Sequence, residues 1–237
     1  MVNGSDKIVI FDLDGTLLNT IDDLGYACNY ALQQLGLPEY PIERYPLMVG
    51  NGVRKLIERA LLPMYESGRL VDSDETELKV MIEKVMVHFV PYYDTHNCVH
   101  TRPYQGIPEL LRELKHQGCM LAVASNKYQR ATQNIVSHFF PDLFDVVYGE
   151  REGIPRKPDP KIVYDILESL NYSKNSTFNS LLYVGDSLVD RDTAANAGVP
   201  FVACSWGFVP RDVLVSSGVE RVIDEPREFL KVKIERN

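Results

Sequence analysis

The chain has 237 residues, 45% hydrophobic and 24% charged, which is enough apolar material for one large domain or two unequal ones. Its 25 Lys and Arg stand against 33 Asp and Glu, and the formal net charge of -8 argues against general binding of nucleic acid or an anionic membrane. An anionic substrate would therefore need a local cation, from a metal ion or a few aimed basic side chains. No apolar run approaches the roughly 18 residues of a membrane span. The opening MVNGSDK lacks a basic segment followed by an apolar stretch, so no secretory leader is expected. Cys28, Cys98, Cys119 and Cys204 are scattered with no CxxC, as for reduced thiols in a cytoplasmic protein.

Ile8–Phe11 is a continuous apolar run and is expected to form a buried strand. At its end stand Asp12, Leu13, Asp14, Gly15 and Thr16. Residues 22–93 contain no convincing strand. Leu24, Ala27, Cys28, Ala31 and Leu35 keep helical spacing, as do Val53, Leu56, Ile57, Ala60 and Leu61, and then Leu78, Met81, Ile82, Val85, Met86 and Phe89. Three amphipathic helices in an insertion imply a small helical subdomain, set at residues 18–95, with the rest, 1–17 and 96–237, forming the core.

Beyond the insertion, strand and helix alternate. Gly106–Gly118 has helical spacing of Ile107, Leu110, Leu111 and Leu114. Met120–Ala124 reads as a strand running into Ser125 and Asn126, where a helix is expected to start. Val146–Tyr148, Leu181–Val184 and Phe201–Cys204 are further strands, with helices over Lys161–Leu170 and Asp190–Ala197, the latter stopped by Gly198. This order predicts an α/β fold: a Rossmann-like, mainly parallel sheet with helices on both faces, plus the inserted helical subdomain.

Alternate residues of an extended chain point the same way, so Asp12 and Asp14 can both face the space beyond the strand's carboxyl end. Ligands bind there in open α/β sheets. Gly15 permits a sharp turn and lets backbone N–H groups approach an anion. Two close carboxylates are tolerated when one is protonated or a cation sits beside them. Hard oxygen ligands suit Mg²⁺, which favours phosphate-bearing partners. Ser125 could contact a phosphate or simply cap a helix. Lys157, in RKPDP, sits on a turn from which it could reach the site. Asp186 and Asp190 lie past another strand, on the same sheet edge as Asp12.

These stretches together resemble the haloacid dehalogenase-like hydrolase superfamily. The matching residues are Asp12-Leu13-Asp14-Gly15-Thr16, Ser125-Asn126, Lys157-Pro158 and Gly185-Asp186-Ser187 with Asp190, in the family's order. The resemblance implies that Asp12 is the nucleophile, forming an aspartyl phosphate, and that Asp14 is the acid and base. It implies Mg²⁺ held by Asp12, the Asp14 backbone carbonyl and Asp186, with Asp190 in support. Ser125, Asn126, Gly15 and Lys157 would bind the phosphoryl group. Thr16 would support the loop. The helical insertion would be the family's α-helical cap, closing over the site and choosing the leaving group.

Within the cap, VGNGVRKLIERAL places Gly50, Asn51 and Gly52 just before a helix, with Arg54 close by, a reasonable receptor for a carboxylate. This segment, PYQGIPELLRELKHQG and LAVASNKY together resemble the phosphoglycolate phosphatase subgroup, whose substrate carries a phosphate and a carboxylate. The expected partner is thus a small phosphorylated metabolite, 2-phosphoglycolate first, and the expected assembly a monomer or homodimer. A phosphatase for sugar phosphates, nucleotides or pyrophosphate is the main alternative. A phosphomutase, a metal-free dehalogenase and a non-enzymatic binding protein are more distant ones. His96-Asn97-Cys98-Val99-His100 reads as a connecting loop more than a metal site, and Trp206, Gly207 and Phe208 could line the site mouth or, as the preferred reading, cover the sheet edge.

Overall fold

The computed structural model of the protein describes residues 7–67, 75–172 and 181–232. The chain divides into two compact units, Met1–Asn19 with Arg102–Asn237, and Thr20–Thr101.

The first unit is built on a six-stranded sheet of β1 (Ile8–Phe11), β4 (Met120–Tyr128), β5 (Val146–Glu150), β6 (Leu181–Gly185), β7 (Phe201–Cys204) and β8 (Val222–Ile223). The spatial order is β5-β4-β1-β6-β7-β8, and every pairing is parallel. All four residues of β1 are buried, which is why its sequence is apolar without alternation. Successive strands run outward from β1 in both directions, so the chain order reverses there. That reversal opens a crevice beyond the carboxyl ends of β4, β1 and β6.

The helices of this unit are α4 (Ile107–His116), α5 (Gln129–Phe139), α6 (Lys161–Ser169), α7 (Leu188–Ala197) and α8 (Arg211–Ser216). In α4 the residues at helical spacing, Ile107, Leu110, Leu111 and Leu114, are the buried ones. Helix α7 starts at a capping box between Ser187 and Asp190 and ends at left-handed Gly198. Two features depart from the sequence reading. Strand β4 runs to Tyr128, with a register irregularity between Ala124 and Tyr128, so α5 starts at Gln129 and Ser125 is no helix cap. The short β8 and α8 had no apolar run long enough to mark them.

The second unit holds α1 (Ile21–Gln34), α2 (Val53–Glu66) and α3 (Glu75–His96). Leu56, Ile57, Ala60 and Leu61 of α2 are buried, as are Ile82, Val85 and Phe89 of α3. The sequence reading set the joints at residues 17/18 and 95/96; in the structure they lie at 19/20 and 101/102. Leu18–Asn19 (β2) pairs antiparallel with Arg102–Pro103 (β3), which keeps both segments in the α/β unit. Asp23, near the start of α1, ties the other end of the helical unit. Its carboxylate accepts from the His100 N–H at 2.9 Å, the Thr101 N–H at 2.9 Å and the Thr101 hydroxyl at 2.8 Å.

Asp23 and Thr101 are both buried, so removing this carboxylate strands donors that water does not reach. Asp23→Ala is expected to lower the unfolding free energy of the helical unit by about 3 kcal/mol, read in a urea titration; a change within ~0.5 kcal/mol, the range of an ordinary surface substitution, would exclude this role.

Candidate active site

Asp12 follows β1 and its N–H donates to the Val184 carbonyl of β6 at 2.9 Å, which seats it in the crevice. Asp186 follows β6, and Asp190 lies in the first turn of α7. Each of the three buried acids offers a carboxylate oxygen, and these oxygens all lie within 4.8 Å of one another. Hard, anionic oxygens at such spacing fit a divalent cation.

One ammonium partly offsets this charge. Lys157 Nζ donates to Asp12 Oδ1 at 2.7 Å, to Asp190 Oδ1 at 2.7 Å and to the Ala124 carbonyl at 2.8 Å, and lies 3.1 Å from the Tyr183 hydroxyl. Burial pulls the Lys157 ammonium down, but Asp12 and Asp190 outweigh it and hold it well above the usual lysine value. Burial is also the largest influence on Asp12, and it raises that carboxyl, with Asp190 and Asp186 adding and Lys157 opposing. Asp186 is pushed up to about 7 by burial and then by Asp190, against the Phe208 N–H, Lys157 and Thr16. Burial first, and the like charge of the neighbouring acids second, disfavour ionisation of both carboxyls, and a bound cation would offset the two effects.

Asp190 has little left for a metal. Its Oδ1 takes Lys157, and its Oδ2 accepts from the Ser187 N–H at 3.1 Å and from the Ser187 hydroxyl at 2.5 Å. It anchors Lys157 and caps α7. Asp186 is held differently: Oδ2 accepts from the Phe208 N–H at 2.7 Å and Oδ1 from the Thr16 hydroxyl at 3.3 Å. Gly15, at φ +87°, lies against it; a Cβ there would come 2.3 Å from Asp186 Oδ2. The Gly15 N–H donates to the Leu18 carbonyl at 2.9 Å. That corrects the expectation of Gly15 as a phosphate donor: its N–H is committed to the turn, and its part is steric.

Asn126 braces the lysine loop. Its Oδ1 accepts from the Lys157 N–H at 3.0 Å and its Nδ2 donates to the Lys157 carbonyl at 3.2 Å. Asn196 Nδ2 donates to the Pro158 carbonyl at 2.9 Å. Ser125 is buried beside them and accepts from the Lys127 N–H at 3.1 Å. Asp14, two residues past Asp12, is paired with Lys127, Nζ to Oδ1 at 3.1 Å.

Against known proteins, the model of the family described as haloacid dehalogenase-like hydrolase matches residues 9–204. The chain belongs to the haloacid dehalogenase-like hydrolase family. The phosphoglycolate phosphatase of Haemophilus influenzae (strain 86-028NP) is 32% identical over 233 residues, covering 98% of this chain and all of that one. The N-acetylmuramic acid 6-phosphate phosphatase of Pseudomonas aeruginosa is 30% identical over 229 residues, covering 95% of this chain and 94% of that one. A crystal structure from Lactobacillus delbrueckii subsp. bulgaricus superposes with a TM-score of 0.82 at 32% identity, over 95% of this chain and 97% of that one. The hydrolase is thus related along nearly its whole length to phosphatases.

In the helical unit of this hydrolase, Gly50, Asn51 and Gly52 precede α2 as expected, and Gly52 is its N-terminal flanking residue. Arg54 pairs with Glu83 of α3. The sequence reading passed over Arg59, which holds this loop: Nη1 donates to the Met48 and Val49 carbonyls at 2.8 and 2.9 Å, and Nη2 to Asn51 Oδ1 at 2.6 Å. His96 and His100 do not join a metal cluster among the described residues. The His96 ring packs on Tyr92 at 4.1 Å, and the His100 ring on Tyr26 at 5.1 Å.

The loop after β7 is corrected as well. Trp206, Gly207 and Phe208 do more than cover the sheet edge: Trp206 Nε1 donates to the Thr16 carbonyl at 3.0 Å, and Phe208 holds Asp186. A Cβ at Gly207 would lie 2.3 Å from Asp186 Cβ and 2.4 Å from the Gly15 carbonyl oxygen. Tyr183 and Lys127 were missed too. An aromatic inside a buried strand carries no signal of function. Lys127 did carry one, as the residue directly after the Ser125-Asn126 pair.

Gly207→Ala should push Asp186 off its position and weaken divalent-metal binding about 10- to 100-fold, as loss of a ligand's support does, measured by calorimetry on the metal-free protein. Unchanged affinity would mean that the loop yields. The pH dependence has a definite sign. With Asp186 at about 7, protons compete with metal below that pH, so affinity should fall as pH drops through 7 toward 5. The metal-free protein moves the other way: the raised pKa gives stability at low pH that is lost as pH rises through about 7. A metal-induced rise in melting temperature as large at pH 5 as at pH 8 would contradict the first, and a metal-free melting temperature that does not fall between pH 5 and pH 8 the second.

Proposed function

We propose that this hydrolase is a Mg²⁺-dependent phosphatase that converts 2-phosphoglycolate to glycolate and phosphate through an aspartyl-phosphate intermediate. The observation that carries the reading is the meeting of Asp12, Asp186 and Asp190 within 4.8 Å, with Lys157 bridging Asp12 and Asp190. The substrate is supported by the full-length relative named phosphoglycolate phosphatase.

Asp12 attacks phosphorus through a carboxylate oxygen, forming the O–P bond as the bond to the leaving oxygen breaks. Lys157 holds Oδ1 of Asp12, which orients the carboxylate for attack by Oδ2. Asp14 gives its proton to the leaving oxygen. In the second step Asp14 takes a proton from water, the water oxygen attacks phosphorus, and the bond to Asp12 breaks, releasing phosphate. Ser125 donates to a phosphoryl oxygen, and Lys157, whose three N–H groups go to Asp12, Asp190 and the Ala124 carbonyl, offsets the phosphoryl charge without donating to it. Asp12, Asp186 and the Asp14 backbone carbonyl would hold Mg²⁺, which offsets repulsion between carboxylate and phosphate when bound. The helical unit serves as the cap, and Gly50, Asn51, Gly52 and Arg54 as receptor for the substrate carboxylate. The four cysteines are free, which suits a reducing cytoplasm.

The relative named N-acetylmuramic acid 6-phosphate phosphatase favours a second reading, a sugar phosphate that also carries a carboxylate. A panel of phosphate monoesters with Mg²⁺ decides between them. The highest kcat/KM is expected for 2-phosphoglycolate, with activity lost in EDTA. A clear preference for the sugar phosphate would move the substrate and leave the phosphatase. Asp12→Asn should keep the fold and lose turnover by at least about 10³, since an amide is no nucleophile here; phosphate release at the parent rate would remove Asp12 as the attacking group.

A further inference from the structure

Two lysines are buried at this site, and only one has been given a task. Lys127 has a side chain 4% exposed, and its ammonium lies 3.1 Å from Asp14 Oδ1. Its backbone is fixed from several sides. The N–H donates to Ser125 Oγ at 3.1 Å, and the carbonyl accepts from Thr132 Oγ1 at 3.0 Å. Gly149 packs so near that a Cβ there would lie 2.4 Å from the Lys127 carbonyl oxygen. Desolvating an ammonium costs several kcal/mol, so a site that already buries Lys157 gains a second one only at a cost. The two are divided between the two aspartates of the turn: Lys157 on Asp12, Lys127 on Asp14.

Asp14 is somewhat more open than Asp12, with 18% of its side chain exposed against 11%. A short carboxylate on a turn has other staggered rotamers to visit, and a proton donor must point at one oxygen to be useful. We infer that Lys127 is a positioning residue for Asp14: donating to Oδ1, it selects one rotamer and leaves Oδ2 to carry the transferable proton. In the first step that proton passes from Asp14 Oδ2 to the leaving oxygen. In the second, Oδ2 receives one from the attacking water. This inference rests on the acid and base role given to Asp14 above.

Leaving groups of different basicity separate the two. A p-nitrophenolate leaves with little need of a proton, whereas an alkoxide needs one. The test compares kcat/KM, which reports steps up to leaving-group release, for p-nitrophenyl phosphate and the best alkyl phosphate of the panel. The variants are Lys127→Met, Lys127→Arg, Asp14→Asn and the double variant Lys127→Met with Asp14→Asn.

General acids contribute about 10² to 10⁴ in rate. Lys127→Met should therefore lose at least about 10-fold more on the alkyl ester than on the aryl ester, as a fraction of that contribution. Asp14→Asn should show the same selectivity more strongly, and Lys127→Arg should recover part of the loss. In the Asp14→Asn background, Lys127→Met should add less than about twofold, because it acts through the missing group. Equal losses on both esters in Lys127→Met, while Asp14→Asn discriminates, would overturn the inference and leave the role of Asp14 standing. Equal losses in Asp14→Asn would remove that role and the inference with it. If Lys127→Met does not fold, Lys127→Arg carries the comparison by its displaced charge: a selective alkyl loss supports the assignment and an equal loss overturns it.

Discussion

A buried ammonium between two buried carboxylates organises this active site. Lys157 reaches Asp12 and Asp190 at 2.7 Å each, from a loop that lies far from both in sequence. Taking such charges out of water costs several kcal/mol per ion, and the expense is met only if partners surround each one. Lys157 meets that condition with the Ala124 carbonyl and the Tyr183 hydroxyl besides the two acids. The carboxylates do not: three acids lie close together beside one ammonium, and burial together with Asp190 raises Asp186. The same arrangement therefore holds the strand ends together and gathers negative charge that suits a divalent ion.

Around that pair, most polar groups hold other groups in place. Asn126 fixes the backbone of Lys157, Ser187 fixes Asp190, and Thr16 with the Phe208 N–H fixes Asp186. Gly15 and Gly207 bear on Asp186 where any side chain would collide. Such mutual bracing supplies the preorganised geometry that electrostatic stabilisation requires. The helical unit has a comparable anchor in Asp23 and a loop clamp in Arg59.

Some of this was legible in the residues alone. The strands β1, β6 and β7 are continuous apolar runs, and helices α4 and α7 announce themselves by spacing and by glycine stops. The acids stood out because they interrupt those runs at their carboxyl ends. β4 reads short because Ser125 and Asn126 stand where a helix is expected to start; in the structure Ser125, Asn126 and Lys127 are buried and pairing with β5 resumes at Tyr128, past the irregularity. The joints of the helical unit shifted because one pair of two-residue strands and one carboxylate decide them.

By itself the sequence determined the elements and the chemistry at their ends, because periodicity, turn residues and strand-end charges are local properties of the chain. Only the tertiary structure decided who meets whom. That Lys127 takes Asp14 while Lys157 takes Asp12, that Phe208 holds Asp186 through its backbone, and that Arg59 holds the loop at Asn51 depend on strand order and on main-chain groups every residue shares. Such contacts leave no pattern in the residue types, since a backbone N–H is the same at every position except proline.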